Sequence, residues 1–343
     1  MRRAIELASS HRPHPNPRVG AVVVAADGRT LGEGAHQAPG MEHAEIEALR
    51  QAGELARGAT LYVTLEPCTH QGLTPPCVGA IVESGVSTVV IGAGDPDPRV
   101  SGSGVSQLRD AGVEVVEAVM AAEAEAADPA YFRHRRTGLP RVTLKYAMTL
   151  DGSVAAADGS SRWVSSEAAR EDAHRLRAGV DAVVVGAGTV RADDPQLNVR
   201  LPGYEGPQPR PVIVAGSAAL PIDAAIWKRE PLVVSASAME VPAGDVIEVD
   251  GSDGLPEPLA AARAIADEGY LDLLLEGGSR LAGAWWRVGL ISGGVVYLAA
   301  KMGGGRGMSP LAGRFSTMEE ATEVTITGVR SLDGDYRVDF ERV

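Results

Sequence analysis

The strongest constraint on this chain is a quartet of residues: His43-Ala44-Glu45, then Pro67-Cys68, then Cys77. One imidazole and two thiolates supply three protein ligands for zinc and leave a fourth position open. A fold that uses them must carry three separate segments to one point. Glu45, two residues beyond the histidine, is read as a proton shuttle and not as a ligand. The chain has only two cysteines in 343 residues. A single disulfide would staple little in a chain this long, so metal ligation is the better reading of the pair. Cys68 follows an apolar run ending at Leu65, where a helix N-terminus would lower its thiol pKa.

The surrounding sequence alternates in period. Residues 19–25, 59–65, 88–92 and 113–117 read as strands, and 42–52, 78–83, 105–111 and 120–127 as helices. This pattern predicts an α/β layer fold with crossover connections. The polar segment Arg133-His134-Arg135-Arg136-Thr137-Gly138-Leu139-Pro140 closes with Gly and Pro. It is read as the boundary between two domains, 1–138 and 139–343, with a surface turn inside one domain as the alternative. Alternation then restarts, with strands at 141–146, 181–185, 211–215, 232–235, 271–275, 295–299 and 336–340. Helices are expected at 166–178, behind a serine N-cap, and at 281–288.

The order H-x-E…P-C…C matches the signature of zinc deaminases of nucleobases, whose cysteines are usually two residues apart. Here the insert is longer: Thr69-His70-Gln71-Gly72-Leu73-Thr74-Pro75-Pro76. With Asn16-Pro17-Arg18-Val19-Gly20, Gly32-Glu33-Gly34-Ala35-His36 and Asp95-Pro96, it closely resembles the deaminase half of the bifunctional riboflavin-biosynthesis deaminase/reductase. That resemblance implies an N-terminal cytidine-deaminase-like domain. It implies deamination of a diaminopyrimidinone carrying a ribosylamino 5′-phosphate, with Asn16 and His36 touching the substrate.

The second half carries Lys145-Tyr146-Ala147-Met148-Thr149-Leu150-Asp151-Gly152 after a strand, Gly186-Ala187-Gly188-Thr189 after another, and Glu276-Gly277-Gly278-Ser279 after a third. Small residues behind a strand let backbone N–H groups approach a phosphate, although a lone Gly-x-Gly is weak evidence. Together these segments resemble the reductase half of the same family, a relative of dihydrofolate reductase. The resemblance implies NADPH held by Ala147, Trp163, Thr189, Asp193 and the loop from Gly278. It places Ser161, Arg177, Leu197, Arg200 and Glu276 at the substrate, the arginines suited to its phosphate. Hydride transfer depends chiefly on orientation and water exclusion, and no proton donor stands out.

Some positions depart from the family. Leu73 stands where a Lys or Arg is usual, and Asp97 where Asn is frequent. Ala215 and Gly216 replace a common serine, and Ala300 a proline. The formal net charge of −13 argues against nucleic acid as the main partner, though a local basic pocket could hold a phosphate. No apolar run reaches the roughly 20 residues of a membrane helix. The opening Met1-Arg2-Arg3-Ala4-Ile5-Glu6 does not read as a signal peptide, so no membrane partner and a cytoplasmic location are expected. A small phosphorylated pyrimidine is the expected ligand and a homo-oligomer the expected assembly. Two other readings are a different nucleobase or RNA deaminase fused to an unrelated reductase, and a ligand-binding regulator with a degenerate catalytic half. The whole-chain resemblance and acidic charge disfavour the first, and the intact quartet disfavours the second.

Overall fold

The valine-rich runs of the first half assemble into one sheet in the computed structural model. This structure describes residues 1–343 other than Pro98, Arg99, Arg162, Trp163, Ala218, Arg306 and Arg314. It divides into two compact units, Met1–Gly138 and Leu139–Val343.

In the first unit the elements run α1 (Arg2–Ala8), β1 (Gly20–Val24), β2 (Thr30–Ala35), α2 (Ala44–Ala52), β3 (Thr60–Leu65), α3 (Cys77–Ser84) and β4 (Thr88–Ala93). Then come α4 (Ser103–Asp110), β5 (Glu114–Val116), α5 (Ala121–Ala127) and α6 (Pro129–Thr137). The sheet order is β2-β1-β3-β4-β5. β1 is antiparallel to β2 and β3, while β3, β4 and β5 run parallel. Strand β2 has no β-branched run, and its glycines explain why. A Cβ at Gly34 would lie 2.1 Å from the Ala44 carbonyl oxygen. Only bare backbone lets the first turn of α2 lie directly on the strand, and that turn carries Glu45.

The basic segment around 133–137 is helical. Asp128 caps α6 by accepting from the Tyr131 N–H at 3.2 Å, Pro129 begins it, and Gly138 ends it in the left-handed region at φ 68°. His134, Arg135 and Arg136 therefore lie in a last helical turn, where cations complement the helix dipole.

The second unit contains β6 (Arg141–Thr149), α7 (Glu167–Ala178), β7 (Ala182–Gly186), α8 (Ala187–Asp193), β8 (Arg210–Ala215), β9 (Leu232–Ser235) and β10 (Asp245–Glu248). A two-residue ladder, β11 (Gly251–Ser252) and β12 (Leu255–Pro256), precedes α9 (Pro258–Asp267), β13 (Asp272–Leu275), α10 (Ser279–Arg287), β14 (Ile291–Ala299), β15 (Val324–Leu332) and β16 (Asp335–Arg342). The sheet order is β10-β9-β8-β7-β13-β6-β14-β16-β15. The first seven strands are mutually parallel, β16 runs antiparallel to β14, and β15 runs antiparallel to β16. Successive residues feed two cores. Val184 and Val212 pack with Ile265 and Trp285, while Val183, Val185 and Ile213 pack with Val190 and Trp227. Burial on both faces explains the continuous apolar strands. Ser166 caps α7, its side chain accepting from the Ala169 N–H at 3.2 Å. Buried Asp172 on α7 accepts from the Tyr297 hydroxyl at 2.7 Å and from Arg337 and Arg330 at 2.7 and 3.2 Å, tying the helix to β14, β15 and β16.

Candidate active sites

In the first unit, His43 is the residue before α2 and Cys77 is the first residue of α3, while Cys68 lies in the loop after β3. The ligand atoms of these three residues lie within 4.8 Å of one another. His43 Nδ1 is 3.0 Å from Cys77 Sγ and 3.6 Å from Cys68 Sγ. Zinc–ligand bonds of about 2.0–2.3 Å require donors spaced roughly in this way, so the residues fit a three-ligand zinc site. No helix begins at Cys68, contrary to the sequence expectation. The N-terminus of α3 serves it instead, since the Cys77 backbone N–H points at Cys68 Sγ from 3.4 Å. The Cys68 thiol is held well below the usual thiol range. The cause is first its bond with the Cys77 thiol, then, against the cost of burial, those with His43 and the Cys77 N–H. The Cys77 thiol is pushed up by its bond with the Cys68 sulfur and by burial.

Glu45 is 3 % exposed, and burial raises its carboxyl above the usual range. A cavity of ≈ 200 Å³ opens beside it, lined by Asn16, His36, Leu73, Asp97, Tyr131 and Arg135 among others. Asn16 Nδ2 lies 3.0 Å from His36 Nε2, and His36 Nδ1 lies 3.1 Å from the Glu42 carbonyl. These partners place the proton on Nδ1 and leave Nε2 as acceptor. Burial lowers the His36 pKa, in keeping with a neutral ring. Leu73 is 84 % exposed at the cavity edge. Asp97 sits 3.9 Å from Arg135 Nε, so the aspartate faces a cation from α6. Sequence reasoning missed three residues here. Arg135 belonged to the segment read as a domain boundary. Asp128 gathers His14 Nε2 at 2.9 Å and the Arg18 N–H at 2.8 Å, fixing the segment that bears Asn16. Glu66, next to the Pro-Cys step, is buried and accepts from the Gly102, Gly104 and Val105 N–H groups at 3.0, 2.9 and 3.2 Å.

In the second unit a cleft of ≈ 380 Å³ is lined by Lys145, Ala147, Ser161, Asp193, Glu276 and Gly278 together with neighbours. Thr189 approaches the same loop closely. A Cβ at Gly277 would come 2.8 Å from its Oγ1. Of the small residues following Val185, Gly186 ends β7 and Ala187, Gly188 and Thr189 open the short helix α8. Glu276 is enclosed by two cations: Arg177 grips it through Nε at 2.6 Å and Nη2 at 2.9 Å, and Lys145 Nζ lies 3.5 Å away. Burial raises the Glu276 pKa, but Arg177 and Lys145 outweigh it and hold the carboxyl at about 2. Arg177 also donates to the Asn198 carbonyl at 3.0 Å. Arg200 is exposed, 2.5 Å from Asn198 Oδ1. The pKa of His174 is lowered to about 4 by burial and then by Arg177 and Arg200. The field on this side is thus positive within an acidic chain, which suits an anionic group. Leu197 is 2 % exposed, its side chain packed into the core at a left-handed backbone position, φ 50°. Trp163 lies outside the described residues.

Comparison with known proteins accounts for both units. Residues 1–93 match the cytidine and deoxycytidylate deaminase zinc-binding region. Residues 140–338 match the RibD C-terminal domain. The riboflavin biosynthesis protein RibD of Mycobacterium tuberculosis is 45% identical over 332 residues, covering 96% of this chain and 88% of the relative. This chain belongs to the RibD family.

The Escherichia coli RibD protein is 36% identical, covering 98% of this chain and 96% of its own length. A solved Acinetobacter baumannii RibD has 36% identity and a TM-score of 0.91, covering 100% of this chain and 97% of that one. A Thermotoga maritima structure described as a diaminohydroxyphosphoribosylaminopyrimidine deaminase/5-amino-6-(5-phosphoribosylamino)uracil reductase has 35% identity and a TM-score of 0.86, with the same coverage. As a RibD protein the chain is a bifunctional deaminase and reductase of riboflavin biosynthesis. A cytidine-deaminase-like fold with a zinc site is followed by a dihydrofolate-reductase-like fold that uses NADPH. Among the described residues no helix is long and apolar enough to cross a membrane.

Proposed function

We propose that residues 1–138 deaminate 2,5-diamino-6-ribosylamino-4(3H)-pyrimidinone 5′-phosphate, and that residues 139–343 then reduce its ribosyl group to ribityl. The observation that carries this is the convergence of His43, Cys68 and Cys77 beside buried Glu45, in a cavity that also holds Asn16 and His36. Zinc held by the two thiolates and His43 Nδ1 supplies, when bound, an acidified water as nucleophile. The ring is oriented by His36 Nε2 and Asn16. Glu45 takes the water proton at its carboxylate and delivers it to the departing amine. Burial keeps that carboxylate away from competing solvent.

In the second unit NADPH supplies a hydride. Ala147, Thr189, Asp193 and the loop from Gly278 form its cradle, and Trp163 belongs to it by family resemblance. Ser161, Leu197, Arg177, Arg200 and Glu276 are assigned to the substrate side. Because Arg177 is turned onto Glu276, exposed Arg200 is the freer of the two arginines to meet a phosphate. Incubating the protein with the diaminopyrimidinone ribosylamino phosphate tests the whole reading. A one-step mass change without NADPH and a second with it are expected. Absence of the first change overturns the deaminase assignment.

A cytoplasmic enzyme acting on a small molecule, without nucleic acid or membrane partners, agrees with the acidic charge. We infer a homo-oligomer from edge strand β15. Its Ile326 and Val329 are 62% and 61% exposed, and the strand carries neither Lys nor Pro. Unguarded edges of this kind pair with another strand. Glu323 at one end and Arg330 near the other suit antiparallel pairing with a second copy. Sedimentation of Ile326→Lys is expected to show a smaller species than the parent, and a monomeric parent removes the inference.

A further inference from the structure

The insert between the cysteines holds a group that the reaction as described does not use. His43 presents Nδ1 to the two sulfurs, while Nε2, across the ring, lies 3.0 Å from Thr74 Oγ1. A nitrogen that binds a metal must be unprotonated, so the proton of the neutral ring sits on Nε2 and requires an acceptor. We propose that Thr74 is a positioning residue for zinc. Its hydroxyl oxygen accepts the Nε2–H of His43, which fixes the tautomer and keeps the Nδ1 lone pair aimed between Cys68 and Cys77. The proposal rests on reading those three residues as the zinc site.

The chain around Thr74 is built to hold that hydroxyl still. The Gly72 N–H donates to the Thr74 carbonyl at 3.2 Å, closing a tight turn. On the other side Pro75 and Pro76 join Thr74 directly to the ligand Cys77, and Pro76, at φ −60°, is the residue from which α3 starts. Two prolines fix two φ angles, so the hydroxyl has few ways to move relative to the Cys77 sulfur. The insert therefore connects one ligand, Cys77, to the far side of another, His43. A Cys-x-x-Cys spacing has no room for such a link.

Thr74→Val removes the hydroxyl at nearly constant volume, and Thr74→Ser retains it. The measurements are the zinc dissociation constant of the full chain, by competition with a chromophoric chelator, and the unfolding temperature of the zinc-free protein. Loss of an outer-shell partner weakens metal binding by roughly 10–100-fold, so the valine variant is expected in that range. The serine variant should stay near the parent value, and all three zinc-free proteins should unfold together. Parent-like affinity in Thr74→Val overturns the proposal alone. Equal losses in both variants, or a matching fall in zinc-free stability, assign the effect to packing and also overturn it. A parent chain that binds no zinc overturns the underlying zinc reading and the proposal with it. Thr74→Ala gives the same contrast if valine is not accommodated.

Discussion

Replacing Glu276 with glutamine tests the charge cluster at the centre of the reductase cleft. The carboxylate is 6% exposed and Arg177 14% exposed, so solvent screens the pair little. The folded-state pKa of about 2, against an ordinary 4.5, corresponds to roughly 3 kcal/mol in favour of the charged form. A second route agrees, since removing one member of a buried ion pair typically costs about 3–5 kcal/mol. Glu276→Gln should therefore destabilise this unit by about 3 kcal/mol near neutrality. The pH dependence follows from the sign of the shift. A depressed carboxylate pKa gives stability that is present above the unfolded value and is lost as pH falls through the folded value. The parent should lose roughly half of this term by pH 3, while the variant has no such term to lose. All four tryptophans, Trp163, Trp227, Trp285 and Trp286, belong to the second unit. Urea unfolding followed by tryptophan fluorescence thus reports on that unit alone. A variant within about 0.5 kcal/mol of the parent at pH 7 would refute the reasoning, because changes that small are usual for surface substitutions.

Three further outcomes are expected. Glu45→Gln should retain zinc but lose ammonia release by on the order of 100-fold or more, as the amide cannot relay a proton, while reduction of already deaminated substrate survives; normal ammonia release would remove Glu45 from its role. Asp193→Ala should raise the Michaelis constant for NADPH and spare deamination, with unchanged reductase kinetics counting against its place in the cradle. Leu73→Lys should lower the Michaelis constant for the phosphorylated substrate more than for its dephosphorylated analogue, since a charged hydrogen bond contributes roughly 1.5–3 kcal/mol. If Arg135 already meets the phosphate, the preference will not move.

What could be read in advance follows a physical division. The quartet was legible because ligand chemistry dictates residue type and order, and the parallel strands because burial on both faces enforces apolar runs. Strand β2 was not legible, since its glycines answer to a helix lying on it rather than to its own propensity. Nor was β15, whose residues are exposed on both faces and so lack the alternation of a half-buried strand. The basic turn of α6 read as a domain boundary because polarity without a visible apolar stripe looks the same in a helix end and in a linker. The grip of Arg177 on Glu276 joins residues 99 positions apart, and nothing local announces it. Trp163 is outside the described residues.

The strand order of the second unit also bears on how this chain emerges from a ribosome. β6 is the first strand of that unit to be made, yet its neighbours in the sheet are β13 and β14. Arg141 pairs in register with Asp272, residues 131 positions apart. An apolar strand made early must therefore wait, unpaired on both sides, until most of the remaining unit has been synthesised. The five-stranded sheet of the first unit has no such gap, because each strand finds a partner within a short stretch of chain. Vectorial synthesis thus leaves a finished N-terminal unit beside a C-terminal one still holding exposed strand edges. The interval between translating β6 and β14 is the period in which this protein most needs protection from its neighbours.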